Sequence, residues 1–418
     1  MKRSVIVLAA LAVFLAVLPG LAQEAATITP ELEAQMVALE DITRQLRELD
    51  GEPVERAFPT REETIAYLRE TIDQQLPLDE ADRYRDFYVA LGLLEPAIDL
   101  RDVYLSLLSA QVAGFYDTDT QVMNVLPAQG ELASELSLLE QIIYVHEYTH
   151  ALQDQFFGLE QYLDDEEVVK HPDRALAAVA LVEGDASAVM NVFAQEVITR
   201  NPLAVFQILG QGLQAGNLFL PPGTPAVLSR ELIFPYEAGM QFVLKLYQDG
   251  GWEAVNAAYE NPPVASEHIL HPETYLAGQT PAAVSLADAT AALGEGWTVR
   301  WDTTLGEWYL REHLRTQLSL SDAADAAQGW GGDRLHVYGN EASGALALAL
   351  RLVWDTPADE AEFEEAYREF AVARFGGEGD GVCWSNAETA LCMPDIDGET
   401  LIVYAPTVEQ AQAIIAAQ

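Results

Sequence analysis

Residues 145–154 read Val145-His146-Glu147-Tyr148-Thr149-His150-Ala151-Leu152-Gln153-Asp154. Upstream, Leu138, Leu139, Ile142, Ile143 and Val145 recur near the helical period, and no breaker precedes Gly158, so the run is predicted to lie on a helix. Residues four apart share a helix face, so His146 and His150 can aim their imidazoles at one point. Two neutral imidazoles so placed make half of a tetrahedral zinc site. Glu147, one residue beyond the first histidine, can reach a water on that metal without being a ligand. Histidine is scarce, with 7 in 418 residues, so the pair is no by-product of composition. A solvated polar face is the bland alternative, and the apolar lead-in argues against it.

Two histidines need a third protein ligand. In Ala175–Met190, Leu176, Val179, Ala180, Glu183, Ala186, Ser187 and Met190 fall on one helical face, and Glu183 is its only ionisable member. A carboxylate among alanines and valines is costly unless paired or metal-bound. A metal on His146 and His150 supplies the partner, and Glu183 is the expected third ligand. Gly184 would let the two helices approach closely. Asp185 lies off that face, either in support of the site or simply solvated.

The chain opens Met1-Lys2-Arg3, continues apolar from Val5 to Leu18, and reaches Pro19-Gly20-Leu21-Ala22. This reads as a secretory signal peptide over 1–22, cleaved after Ala22, with an uncleaved anchor as the alternative. The formal charge of −44 disfavours nucleic acid and anionic membrane surfaces as partners. Charge spread through a chain that is 50% hydrophobic argues against disorder. Cys383 and Cys392 could clamp a short hairpin, and export would permit that disulfide.

Four helices are expected over 23–105, a helical region read as packing and substrate wall. Gln111–Val125, with Asp117-Thr118-Asp119-Thr120 at its centre, reads as a β-hairpin. Its edge would either hold an extended peptide or serve structure alone. Residues 301–334 are expected to connect by a helix through Trp308 and a turn at Gly329-Trp330-Gly331-Gly332. From 335 to 418 strands and helices alternate, an α+β module without a catalytic constellation.

His146–Asp154 is similar to the motif helix of thermolysin-type enzymes and, with Glu183, resembles the gluzincin zinc metallopeptidases. Tyr236-Glu237-Ala238-Gly239 resembles the Tyr-x-x-Gly helix of aminopeptidase-like gluzincins. Pro262–Tyr275 and Gly329–Arg334 are similar to segments of uncharacterised exported H-E-x-x-H proteins. The resemblance implies zinc on His146, His150 and Glu183, with Glu147 activating the water. It implies that Asp154 orients a ligand histidine, and that a His or Tyr stabilises the oxyanion. His271, Tyr236 and His268 are the candidates for that donor. Ser187 stands where the group usually has Asp, so part of the usual support is absent or supplied elsewhere.

The expected fold is therefore mainly helical α+β. A zincin-like domain with a small mixed sheet would span 106–300, followed by the connector and the C-terminal module. The expected activity is zinc-dependent hydrolysis of a peptide or protein substrate outside the cytoplasm. The alternative is a non-catalytic exported binding or scaffold protein that keeps the fold.

Overall fold

The motif residues sit on one 20-residue helix, Leu138–Phe157, in a computed structural model of the chain. Ser137 and Glu140 form a reciprocal capping box at its start, and Gly158 ends it in the left-handed conformation. The structure describes residues 28–111, 114–126, 133–163, 168, 170–215, 220–377, 379–396 and 398–418. The expected leader over 1–22 lies outside them. The chain is mainly helical α+β, as its periodicities predict.

Two units divide the chain. The first comprises Met1–Pro77, Leu100–Val169 and Ala175–Pro263. Its opening helix, Pro30–Arg47, starts with Thr29 accepting from the Leu32 N–H and Pro30 at the first helical position. It lies along the motif helix, where Tyr144 Oη donates to Glu40 (2.8 Å) and Arg44 donates to Tyr148 Oη (2.8 Å). A second capping box, Thr60 with Glu63, opens Arg61–Gln75. Three short strands make a small mixed sheet: β1 (Glu55–Ala57), β2 (Gly114–Asp117) and β3 (Val122–Val125). Their order is β1-β3-β2, with β1 parallel and β2 antiparallel to β3. The expected hairpin is thus β2–β3, turned by Asp117 accepting from the N–H groups of Asp119 and Thr120. Helix Ala226–Glu260 breaks at Gly250–Gly251, where Gly251 takes φ 65°.

Pro172–Arg200 is the one helix among the described residues long and apolar enough to cross a membrane. In its most apolar window 83% is buried, and it carries the buried Glu183, so the structure uses it as a core helix.

The second unit comprises Leu78–Asp99, Lys170–Arg174 and Val264–Gln418. Its six-stranded antiparallel sheet runs β4-β5-β6-β9-β8-β7. The strands are β4 (Trp297–Thr303), β5 (Trp330–Asn340), β6 (Ala345–Trp354), β7 (Cys383–Ser385), β8 (Ala390–Cys392) and β9 (Thr400–Ala405). Cys383 and Cys392 face each other across β7–β8 and form the expected disulfide. Pro357–Phe375 and Val408–Ala417 are the expected helices.

Three features depart from the sequence reading. The sheet begins at Trp297, within the stretch assigned to the first domain, because β4 finds its partner only in β5. Trp330-Gly331-Gly332 is no turn but the start of β5. Its glycines supply the register shift against Trp354 and Val353, and Gly332, at φ 148°, lets Ala282 pack against the backbone. Helix Leu78–Ala90, expected with the N-terminal helices, belongs to the second unit. There Tyr84 and Phe87 pack on Trp301, whose indole N–H donates to the Arg83 carbonyl (2.7 Å).

Candidate metal centre

The helical spacing of His146 and His150 brings their rings edge to face, with Nε2 atoms 3.0 Å apart. Glu183, from the helix Pro172–Arg200, places Oε2 3.2 Å from His146 Nε2 and 3.5 Å from His150 Nε2. The three ligand atoms lie within 4.8 Å of one another, and all three residues are buried. Glu183 Oε1 is buried with no hydrogen-bond partner among the described residues, which would be costly in a purely structural carboxylate. Two imidazole nitrogens and a carboxylate converging on one point, with an acceptor oxygen to spare, fit a divalent metal ion.

The electrostatics of the protein alone belong to charges gathered for such an ion. Burial works to pull His150 down, yet the adjoining Glu183 carboxylate overrides it and holds His150 up at about 9. Burial works against the Glu183 carboxylate too, but His150 and His146 bring it down to about 2.

Glu147 points beside this cluster. Burial pushes its carboxyl up, opposed by His146 and His150. Its Oε2 accepts the Tyr116 backbone N–H (3.1 Å), so edge strand β2 runs past it. Gly114 makes that approach close: a Cβ there would meet Asn124 O at 3.2 Å and Glu147 Cγ at 3.8 Å.

Tyr236, on the helix Ala226–Glu260, joins the same cluster. Its ring stacks on His146 with centroids 5.9 Å apart. Burial, then the charges of Glu183 and Glu147, push its hydroxyl well above the usual tyrosine range. His271 lies in the second unit, with Nε2 3.0 Å from Glu307 Oε1 and Arg311 beside both. His268 is buried with both ring nitrogens on backbone, at Val264 N and Gln279 O.

The support around the ligands differs from the resemblance. Asp154, expected to orient a ligand histidine, instead accepts from Tyr116 Oη (3.0 Å) and the Leu159 N–H (3.0 Å). Its turn of the helix points it at the β2 side. The group on His150 Nδ1 is Gln153 (2.8 Å), which the sequence reading missed. Its signal was positional, since residue i+3 from a ligand shares that ligand's face. Asp185 is fully buried in an ion pair with Arg47, not solvated. Gly184 does allow close approach, but to Gly239 of the Tyr236 helix.

One family model matches, a domain of unknown function (DUF8575), over residues 291–415. That segment lies within the second unit and includes neither the His146–His150–Glu183 group nor Glu147. No curated protein and no solved structure matches the chain significantly.

Proposed function

We propose that the protein is an exported zinc metallopeptidase of gluzincin type, cleaving peptide bonds with Glu147 as general base. The observation that carries the reading is the convergence of His146, His150 and Glu183 beside a carboxylate that takes no part in ligation. A structural metal would need the first three groups and would have no use for Glu147.

Zinc, when bound to His146, His150 and Glu183, would supply Lewis-acid activation of water and of the scissile carbonyl. Glu147 accepts the water's proton and returns it to the leaving amine, with the Tyr116 N–H fixing the orientation of its carboxylate. Tyr236, whose ring stacks on His146 and whose hydroxyl lies within the influence of the Glu183 and Glu147 charges, is the donor nearest to hand for the oxyanion. This reading makes Tyr236 the oxyanion donor in preference to His271, whose ring is engaged by Glu307 and Arg311. An extended substrate pairing with the β2 edge would run alongside Glu147, held by its backbone whatever its sequence. Export is part of the reading, and the Cys383–Cys392 disulfide supports an oxidising compartment.

Digestion of a broad peptide library by the zinc-loaded full chain tests this. Wild type should cleave, while Glu147→Gln should keep its zinc and lose about 10²–10⁴-fold in rate. A Glu147→Gln variant as active as wild type would overturn the assignment. A zinc-bound wild type that cleaves nothing would favour the scaffold alternative.

A further inference from the structure

The amide of Gln153 has only one orientation that satisfies its surroundings. Its Nε2 lies 2.9 Å from the Val182 carbonyl and 3.1 Å from Asp185 Oδ2. A carbonyl can only accept. Asp185 already receives Arg47 Nε on Oδ1 (2.7 Å) and Tyr259 Oη on Oδ2 (2.9 Å), so it too presents acceptors. The two N–H bonds of Gln153 are therefore spent on Val182 and Asp185, leaving Oε1 to face His150 Nδ1 at 2.8 Å. An amide oxygen can only accept, so Nδ1 carries the hydrogen and Nε2 of the neutral ring turns its lone pair to the centre. That is the tautomer a metal ligand needs.

The far end of this chain of bonds is remote in sequence. Arg47 is the last residue of the opening helix, 138 positions from Asp185. Arg47 and Asp185 are both fully buried, and the guanidinium also binds Asn256 Oδ1 (2.7 Å) and lies 4.3 Å from the Trp252 ring. A buried charge pair is kept at a desolvation cost, and here it fixes a polar group one bond from a metal ligand.

We infer that Gln153, Asp185 and Arg47 form a positioning relay that presets His150 for metal binding and makes the N-terminal helix part of the metal centre. None of the three is among the groups that converge on the centre. The inference rests on the metal reading above, but not on hydrolysis.

Zinc affinity of the full-length protein, measured by chelator competition, tests it. Gln153→Met removes no charge and preserves volume, so it is the variant that keeps the fold. It should weaken zinc binding by about 10–100-fold. Arg47→Met should do the same, and Arg47→Lys should recover most of the loss. The Arg47→Met, Gln153→Met double variant should bind no more weakly than the worse single variant, because one relay is broken once. Folded Gln153→Met with wild-type affinity, or losses that multiply in the double variant, would overturn the relay and leave the metal reading standing. A wild type that binds no zinc would overturn both.

Discussion

Gly184 and Gly239 touch backbone to backbone: a Cβ on Gly184 would lie 2.2 Å from the Gly239 carbonyl carbon. The contact joins the helix that carries Glu183 to the one that carries Tyr236, and each glycine is within three residues of the group it places. On the other side, a Cβ on Gly239 would lie 2.1 Å from the Ala180 carbonyl oxygen. No side-chain rearrangement can relieve a clash with main chain. Gly239→Ala is therefore expected to cost about 3 kcal/mol or more of stability and to weaken zinc binding with it. Denaturant unfolding and zinc titration of the variant check this, and wild-type values in both would show that the crossing does not set the site.

Tyr236→Phe removes a single hydroxyl and keeps the ring against His146. If that hydroxyl serves the transition state, kcat should fall by about 10²–10³-fold while KM stays within a few-fold and zinc is retained. Steady-state kinetics on any peptide that wild type cleaves give the answer. An unchanged kcat would move the oxyanion donor elsewhere.

His313 predicts a pH dependence that has nothing to do with the metal. Buried in the second unit, it donates from Nδ1 to the Leu91 carbonyl (2.7 Å), and its Nε2 lies 2.9 Å from Tyr367 Oη. Burial, helped by Arg374, pushes it down to about 4. An unfolded histidine titrates near 6.5, so the folded state binds fewer protons between those values. The stability His313 confers is thus complete above about pH 6.5 and is lost as pH falls towards 4, by about 3 kcal/mol at most. Thermal midpoints should fall from pH 7 to pH 4.5 more steeply for wild type than for His313→Gln. Parallel slopes would show that the ring is protonated without penalty.

The convergence of His146, His150 and Glu183 was legible because chemistry and period coincide. His146 and His150 share a face by spacing alone, and Glu183 stands out as the only charge on an apolar stripe. The β2–β3 hairpin, the disulfide and the C-terminal alternation were legible for the same local reasons. What could not be read is non-local. Gln153 looks like any polar helix residue until Val182 and Asp185 are brought to it, and Arg47 is 138 positions from Asp185 in the chain. Strand β4 and the helix Leu78–Ala90 take their places only once Trp301 is packed, and Trp330-Gly331-Gly332 hides a strand behind residues that ordinarily end one.

Metal analysis of the purified full chain, wild type beside His150→Ala, tests the account most directly. One zinc per chain in wild type, lost in the variant, is the predicted result. A wild type that stays free of zinc after reconstitution, or a His150→Ala variant that holds as much, would contradict it.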